Sequence, residues 1–156
     1  MKKYKYYARQ GAPFKNDDAQ EIGRFINNIK KKTTKNILKK IEKTPDHVIH
    51  DYIEWDDTVA GEKYRLQQVR NIVNHVDVKI IDNGSHEPVR AFYSVSDDSG
   101  KTNEKSYVQV DVAFDDDDKK SQIISRAKHE LKNWRDRYKV YRELQDVVSV
   151  IEPFIT

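Results

Sequence analysis

The chain has 156 residues, enough for one ordinary domain with a real core, and it carries no cysteine, so disulfides, thiolate metal sites and cysteine nucleophiles are excluded. Charged residues make up 35% and hydrophobic residues 37%, the balance of a folded protein with a heavily charged surface. The net charge of +3 hides a split: residues 1–50 hold 13 basic against 5 acidic side chains, or +8, and the remainder sums to −5. A clustered positive field of this kind attracts phosphates or acidic protein surfaces. No apolar run approaches the ~20 residues that span a bilayer, and the MKKYKYYARQ start lacks the apolar stretch of a signal peptide. The expectation is a soluble, cytoplasmic protein with no membrane partner.

Tyr4 to Ala8 is a short aromatic stretch, readable as a terminal strand or as an arm. Asn16 to Asp18 then open a helix, with Asp18 and Glu21 spaced as a capping box and Ile22, Phe25, Ile26 and Ile29 as its apolar stripe. Thr33 or Thr34 caps a second helix whose buried side would be Ile37, Leu38 and Ile41. Thr44-Pro45 repeats the start signal for a short third helix with Val48, Ile49, Tyr52 and Ile53 inward. Trp55 is expected to anchor this group in the core.

From Asp57 to Val76 the apolar residues Leu66, Val69, Ile72, Val73 and Val76 fall in steps of three and four, which predicts a central helix with Asp56 as its N-cap and Val59 on the same face. The period then changes to two. Residues 76–81, 89–95 and 107–114 alternate as three strands, separated by the turn DNGSHEP and the longer loop SDDSGKTNEKS. Short connections favour an antiparallel meander. Asp115 to Asp118 lead into a last helix whose seam is Ile124, Ala127, Leu131, Trp134, Tyr138 and Tyr141, expected to cover the sheet. Its seam shifts to Leu144, Val147, Val148 and Ile151, with Pro153 ending the helical potential, and the apolar tail from Leu144 to Ile155 predicts contact with a second copy.

The aspartate run at 115–118 lacks the spaced pattern and terminal glutamate of a calcium loop and fits helix capping instead. His47 and His50 are three apart, but spacing fixes no third zinc ligand. No metal or other cofactor is therefore expected. Asp77 and Lys79, with Asp111 on another strand, form the acid and lysine set of a metal-dependent nuclease, although such pairs arise freely in a chain this charged. A glycine-rich phosphate loop and a nucleophile motif are both missing from the sequence.

The first two helices make a better site. Their spacing is similar to a helix-turn-helix, with Lys30, Lys31 and Lys32 at the end of the first helix, a turn at Lys32 to Thr34, and Lys35, Lys39, Lys40 and Lys43 placed for phosphates. Asn36 is the one side chain suited to an adenine edge, and no arginine is placed to read guanine, so contacts would be mainly non-specific. A second basic surface runs along the last helix through Arg126, Lys128, Lys132, Arg135, Arg137, Lys139 and Arg142.

The segment IEWDDTVAGEKYRLQQVRNIV, the strand PVRAFYSV and the later NWRDRY resemble a group of small phage and prophage proteins sharing F-E-W-D-D, Y-R, Q-A-R and R-A-F. The likeness runs from about Ala19 to Ile151 and departs from the pattern at Ile53, Gly61 and Val69. It implies a phage context and carries over no catalytic residue. Trp55, Asp56, Tyr64, Arg65 and Arg70 are its shared residues, and for Arg65 and Arg70 a structural and a ligand-contacting role are both open.

Together these readings predict an α+β protein: a basic helical region at 1–54, then an α-β-β-β-α core at 55–156, joined as one compact unit. The leading expectation is a non-enzymatic phage accessory protein that binds nucleic acid, DNA first, as a homo-oligomer. The alternatives are a protein-interaction factor meeting a phage or host protein, and a metal-dependent nuclease.

Overall fold

The computed structural model describes residues 3–81, 87–96 and 105–156, and the chain is α+β. It forms two compact units, Met1–Val112 and Ala113–Thr156, so the expected boundary at residues 54 and 55 lies inside the first. The turn and loop expected at 82–88 and 96–106 fall largely outside the described residues.

In the first unit, strand β1 (Tyr4–Ala8) is the short aromatic stretch, and it pairs antiparallel with β2 (Val76–Ile80), which in turn pairs with β3 (Val89–Arg90). Strands β4 (Phe92–Ser96) and β5 (Lys105–Gln109) make a second antiparallel pair. Ala91 joins the two sheets: its N–H donates to Val76 O, and its carbonyl accepts from Val110 N. The three strands expected from the alternation are thus successive antiparallel neighbours, but they are divided between two sheets and joined by β1.

An edge strand such as β1 leaves backbone groups unpaired unless something covers them. Gln20 does so with one amide, accepting from Tyr6 N and donating to Tyr4 O, while Asn16 Oδ1 accepts from Ala8 N. Gln20 lies in the first turn of helix α1 (Ala19–Asn27) and Asn16 in the 3-10 turn just before it, so the cover fixes where α1 lies. Gly23 faces the Tyr6 ring so closely that a Cβ would fall among the ring atoms.

The core follows from the stripes. Ile22, Phe25 and Ile26 of α1 meet Ile37, Leu38 and Ile41 of α2 (Thr34–Glu42), Val69, Ile72 and Val73 of α3 (Glu62–Asn74), and Val76, Val78 and Phe92 from the sheets. Each such side chain contributes roughly 1.5–3 kcal/mol when fully buried. A 3-10 turn at Val48–Tyr52 replaces the expected third helix, with Ile49 and Ile53 buried and Trp55 packed half-buried beside them.

Several local expectations are corrected. Asp18 makes no capping bond, because its carboxylate accepts from Tyr52 Oη at 2.5 Å. The central helix starts five residues late, with Gly61 as N-cap, because Asp56 instead holds a turn by accepting from Thr58 N and Oγ1. Val59 is consequently 68% exposed. Residues 110–114 are a helical turn, α4 (Val110–Phe114), with Val110 and Ala113 buried at helical spacing and Val112 and Phe114 exposed.

In the second unit, α5 (Asp117–Tyr138) and α6 (Gln145–Ile155) are joined through a 3-10 turn at Arg142–Leu144. Gln145 Nε2 donates to Lys139 O at the end of α5 and to Tyr141 O in the connecting turn. Arg135 Nη1 bridges to Glu152 at 2.9 Å and ties α6 to α5. Pro153 sits in the last turn of α6, where its missing N–H costs one bond and the helix continues to Ile155. Neither helix buries a residue. Ile124, Leu131, Tyr138 and Tyr141 of the expected seam are exposed. Within the first unit, α1, α2 and α3 supply the helical side of the core.

Candidate nucleic-acid interface

Thr33 builds the start of α2 by accepting from Asn36 N through Oγ1 at 3.1 Å. Asn36 returns its own Nδ2 donor to Lys31 O at 3.0 Å. The amide expected at an adenine edge is therefore engaged in holding the loop at residues 28–33. That loop is longer than the 3–4-residue turn of a helix-turn-helix.

Lys32 is turned inward. Its Nζ donates to Ile29 O at 2.7 Å, its carbonyl accepts from Tyr107 N, and burial lowers its pKa. It ties the end of α1 to β5 and is removed from the set of phosphate contacts. Lys40 is half-buried with Nζ 4.6 Å from the centroid of the Phe25 ring, whose contacts also include His47 at 4.6 Å.

Lys35, Lys39 and Lys43 remain. They are exposed and recur every four residues, so they form one line along the outer side of α2, about 6 Å apart at 1.5 Å rise per residue. None makes an ion pair or side-chain hydrogen bond among the described residues. Lys30 and Lys31 are exposed in the preceding loop. Folding thus separates the eight expected contact residues into three that hold structure, Lys32, Asn36 and Lys40, and five that face solvent.

The nuclease set does not assemble. Directly opposed residues of an antiparallel pair share a face, which puts Tyr4, Tyr6, Val78 and Ile80 on one side of the sheet and Lys5, Tyr7, Asp77 and Lys79 on the other. Asp111 is buried on the Tyr4 side, accepting from Tyr4 Oη at 2.6 Å and Gln109 Nε2 at 3.1 Å. Asp77 is paired with Arg9 at 2.8 Å.

The histidines diverge as well. His47 Nδ1 accepts from Ile49 N, and the His50 ring stacks on Trp55 with centroids 4.4 Å apart. At the aspartate run, Asp116 caps α5 by accepting from Lys119 N, which holds its carboxyl below the usual range. Among the described residues no three His, Asp or Glu side chains gather as a metal site.

Arg65 resolves to a structural role: its guanidinium donates to Glu54 O, Trp55 O and Asp57, while Gln68 Oε1 accepts from Glu54 N. Arg70 is exposed on α3. Sequence reasoning passed over the outward side of β1 and β2, where Lys5 and Lys79 stand opposite each other. The alternation of lysine and tyrosine in KKYKYY was the available signal. Compared with protein-family models, curated proteins and solved structures, the chain finds no match.

Proposed function

We propose that this protein is a non-enzymatic nucleic-acid-binding protein that holds duplex DNA through non-specific phosphate contacts from Lys35, Lys39 and Lys43, with Lys30 and Lys31 beside them. The observation that carries this reading is the line of three exposed lysines on α2, none of which forms an ion pair among the described residues. The base-reading side chain expected there, Asn36, is occupied, which favours backbone contacts over sequence reading. The phage or prophage setting rests on the sequence pattern around Trp55, Asp56 and Arg65.

We further propose that a second copy covers the exposed apolar residues of α5 and α6. Val147, Val150 and Phe154 recur at helical spacing along α6, and Ile124, Leu131 and Tyr138 recur every seven residues along α5. Asp115 to Asp118 stand at the start of α5 and Lys132, Arg137 and Lys139 near its end, so an antiparallel copy brings opposite charges together. Two copies would double the weak phosphate contacts at one site by effective concentration.

The test is binding of a mixed-sequence duplex at 50 mM salt by the full chain and by a Lys35→Glu/Lys39→Glu/Lys43→Glu variant. Binding that the variant loses supports the reading. Binding that is absent, or unchanged in the variant, overturns it.

A further inference from the structure

We propose that the outward side of β1 and β2, together with the groove between β1 and α1, is a second binding site, for a single-stranded nucleic acid. Lys5 is directly opposite Lys79, and Tyr7 is directly opposite Asp77. Opposed side chains on adjacent antiparallel strands have Cβ atoms roughly 5 Å apart, and like charges in that position destabilise the sheet. Asp77, the acid on this side of the β1–β2 pair, is already held by Arg9 at 2.8 Å. Lys5 and Lys79 are left as facing cations, neither meeting a carboxylate among the described residues. Lys5 instead places its Nζ 5.5 Å from the centroid of the Tyr7 ring. Like charges in this register disfavour the strand pairing, and an anion bound beside them would relieve the repulsion.

The neighbouring groove extends the same chemistry. It has a volume of about 1110 Å³ and is lined by Lys3, Lys5, Tyr7, Arg24, Asn27 and Asn28 among others, with no aspartate or glutamate among the described residues. Cations supply the attraction for a phosphate chain, and the two asparagine amides offer both donors and acceptors to base edges. Tyr7 is half-exposed and presents a ring beside the lysines. Aromatic rings interleaved with cations in a groove are the arrangement that holds single strands, because every unpaired base has a face to stack. A duplex keeps its bases stacked within the helix and offers Tyr7 nothing. This site is separate from the lysine line on α2 and does not depend on it.

The experiment is fluorescence anisotropy with a labelled oligothymidylate and a duplex of equal length, on the full chain and on Tyr7→Ala, Tyr7→Phe, Lys5→Glu and the α2 triple variant. Tyr7→Ala is expected to weaken oligothymidylate binding about tenfold while duplex affinity changes less than about twofold, and Tyr7→Phe to retain it. Lys5→Glu is expected to weaken oligothymidylate binding and to raise the melting temperature, since an acid opposite Lys79 turns repulsion into attraction. The α2 triple variant is expected to keep oligothymidylate binding. No binding of oligothymidylate by the full chain overturns the proposal. So does unchanged affinity in a folded Tyr7→Ala, or loss of both ligands in the α2 variant. The duplex reading fails separately, if the α2 variant binds duplex as well as the parent.

Discussion

Tyr4 Oη donates to Asp111 Oδ2 over 2.6 Å, joining the N-terminal strand to a buried carboxylate 107 residues away. Gln109 extends the link, donating to Asp111 Oδ1 and accepting from Tyr6 Oη at 2.8 Å. Burial, reinforced by the hydrogen bond to Asp111, pushes the Tyr4 hydroxyl up to about 12, so it stays a donor at any ordinary pH. The segment that sequence left open between strand and arm is thus fastened by its tyrosines.

Removing the carboxylate strands two donors. Asp111→Ala should cost about 2–3 kcal/mol in urea unfolding and Tyr4→Phe about 1 kcal/mol. The double variant should lose less than the sum, by roughly 1 kcal/mol of coupling. Additive losses would mean the two groups do not interact in solution.

Arg65 holds the loop before α3 by two backbone carbonyls and Asp57, with its guanidinium carbon 5.7 Å from the centroid of the Trp55 ring. A lysine cannot reproduce that fork. Arg65→Lys should destabilise by about 1–2 kcal/mol and speed amide exchange at residues 54–60, with DNA affinity unchanged. A selective loss of DNA binding with normal stability would make Arg65 a ligand contact instead.

His47 carries a pH dependence of definite sign. Burial lowers its pKa from the usual value, with Lys40 adding to the effect and Glu21 opposing it, and its neutral Nδ1 accepts from Ile49 N. The folded state therefore favours neutral imidazole. Its contribution is fully present above the unfolded pKa of about 6.5 and is lost as pH falls through the lower folded value. The urea midpoint should drop between pH 7.5 and 5, and His47→Asn, which keeps a capping acceptor without titrating there, should show a smaller drop. Equal drops would remove His47 from the account.

The helical stripes of α1 and α2 were legible because Ile22, Phe25, Ile26, Ile37, Leu38 and Ile41 meet one core from one side each. The start of α3 was not. Asp56 suits a helix cap and an isolated turn equally, and Thr58 two residues on decided for the turn. The alternating letters of residues 110–114 fit a strand, but the buried pair Val110 and Ala113 lies at helical spacing, and Asp111 between them accepts from Tyr4. In the candidate site, the line Lys35, Lys39, Lys43 was readable from spacing alone. The inward turn of Lys32 was not, since its partners Ile29 O and Tyr107 N are backbone groups brought together by folding.

The salt dependence of duplex binding, for the parent chain and for single neutral variants Lys35→Gln, Lys39→Gln and Lys43→Gln, tests whether α2 meets the phosphates. Each phosphate contact adds about 0.9 to the slope of log affinity against log salt. Each variant should therefore lower the slope by roughly 0.9, while Lys32→Gln leaves it unchanged. Slopes that are the same for the parent and the three α2 variants, with binding intact, would contradict the assignment of α2 as the surface that meets DNA.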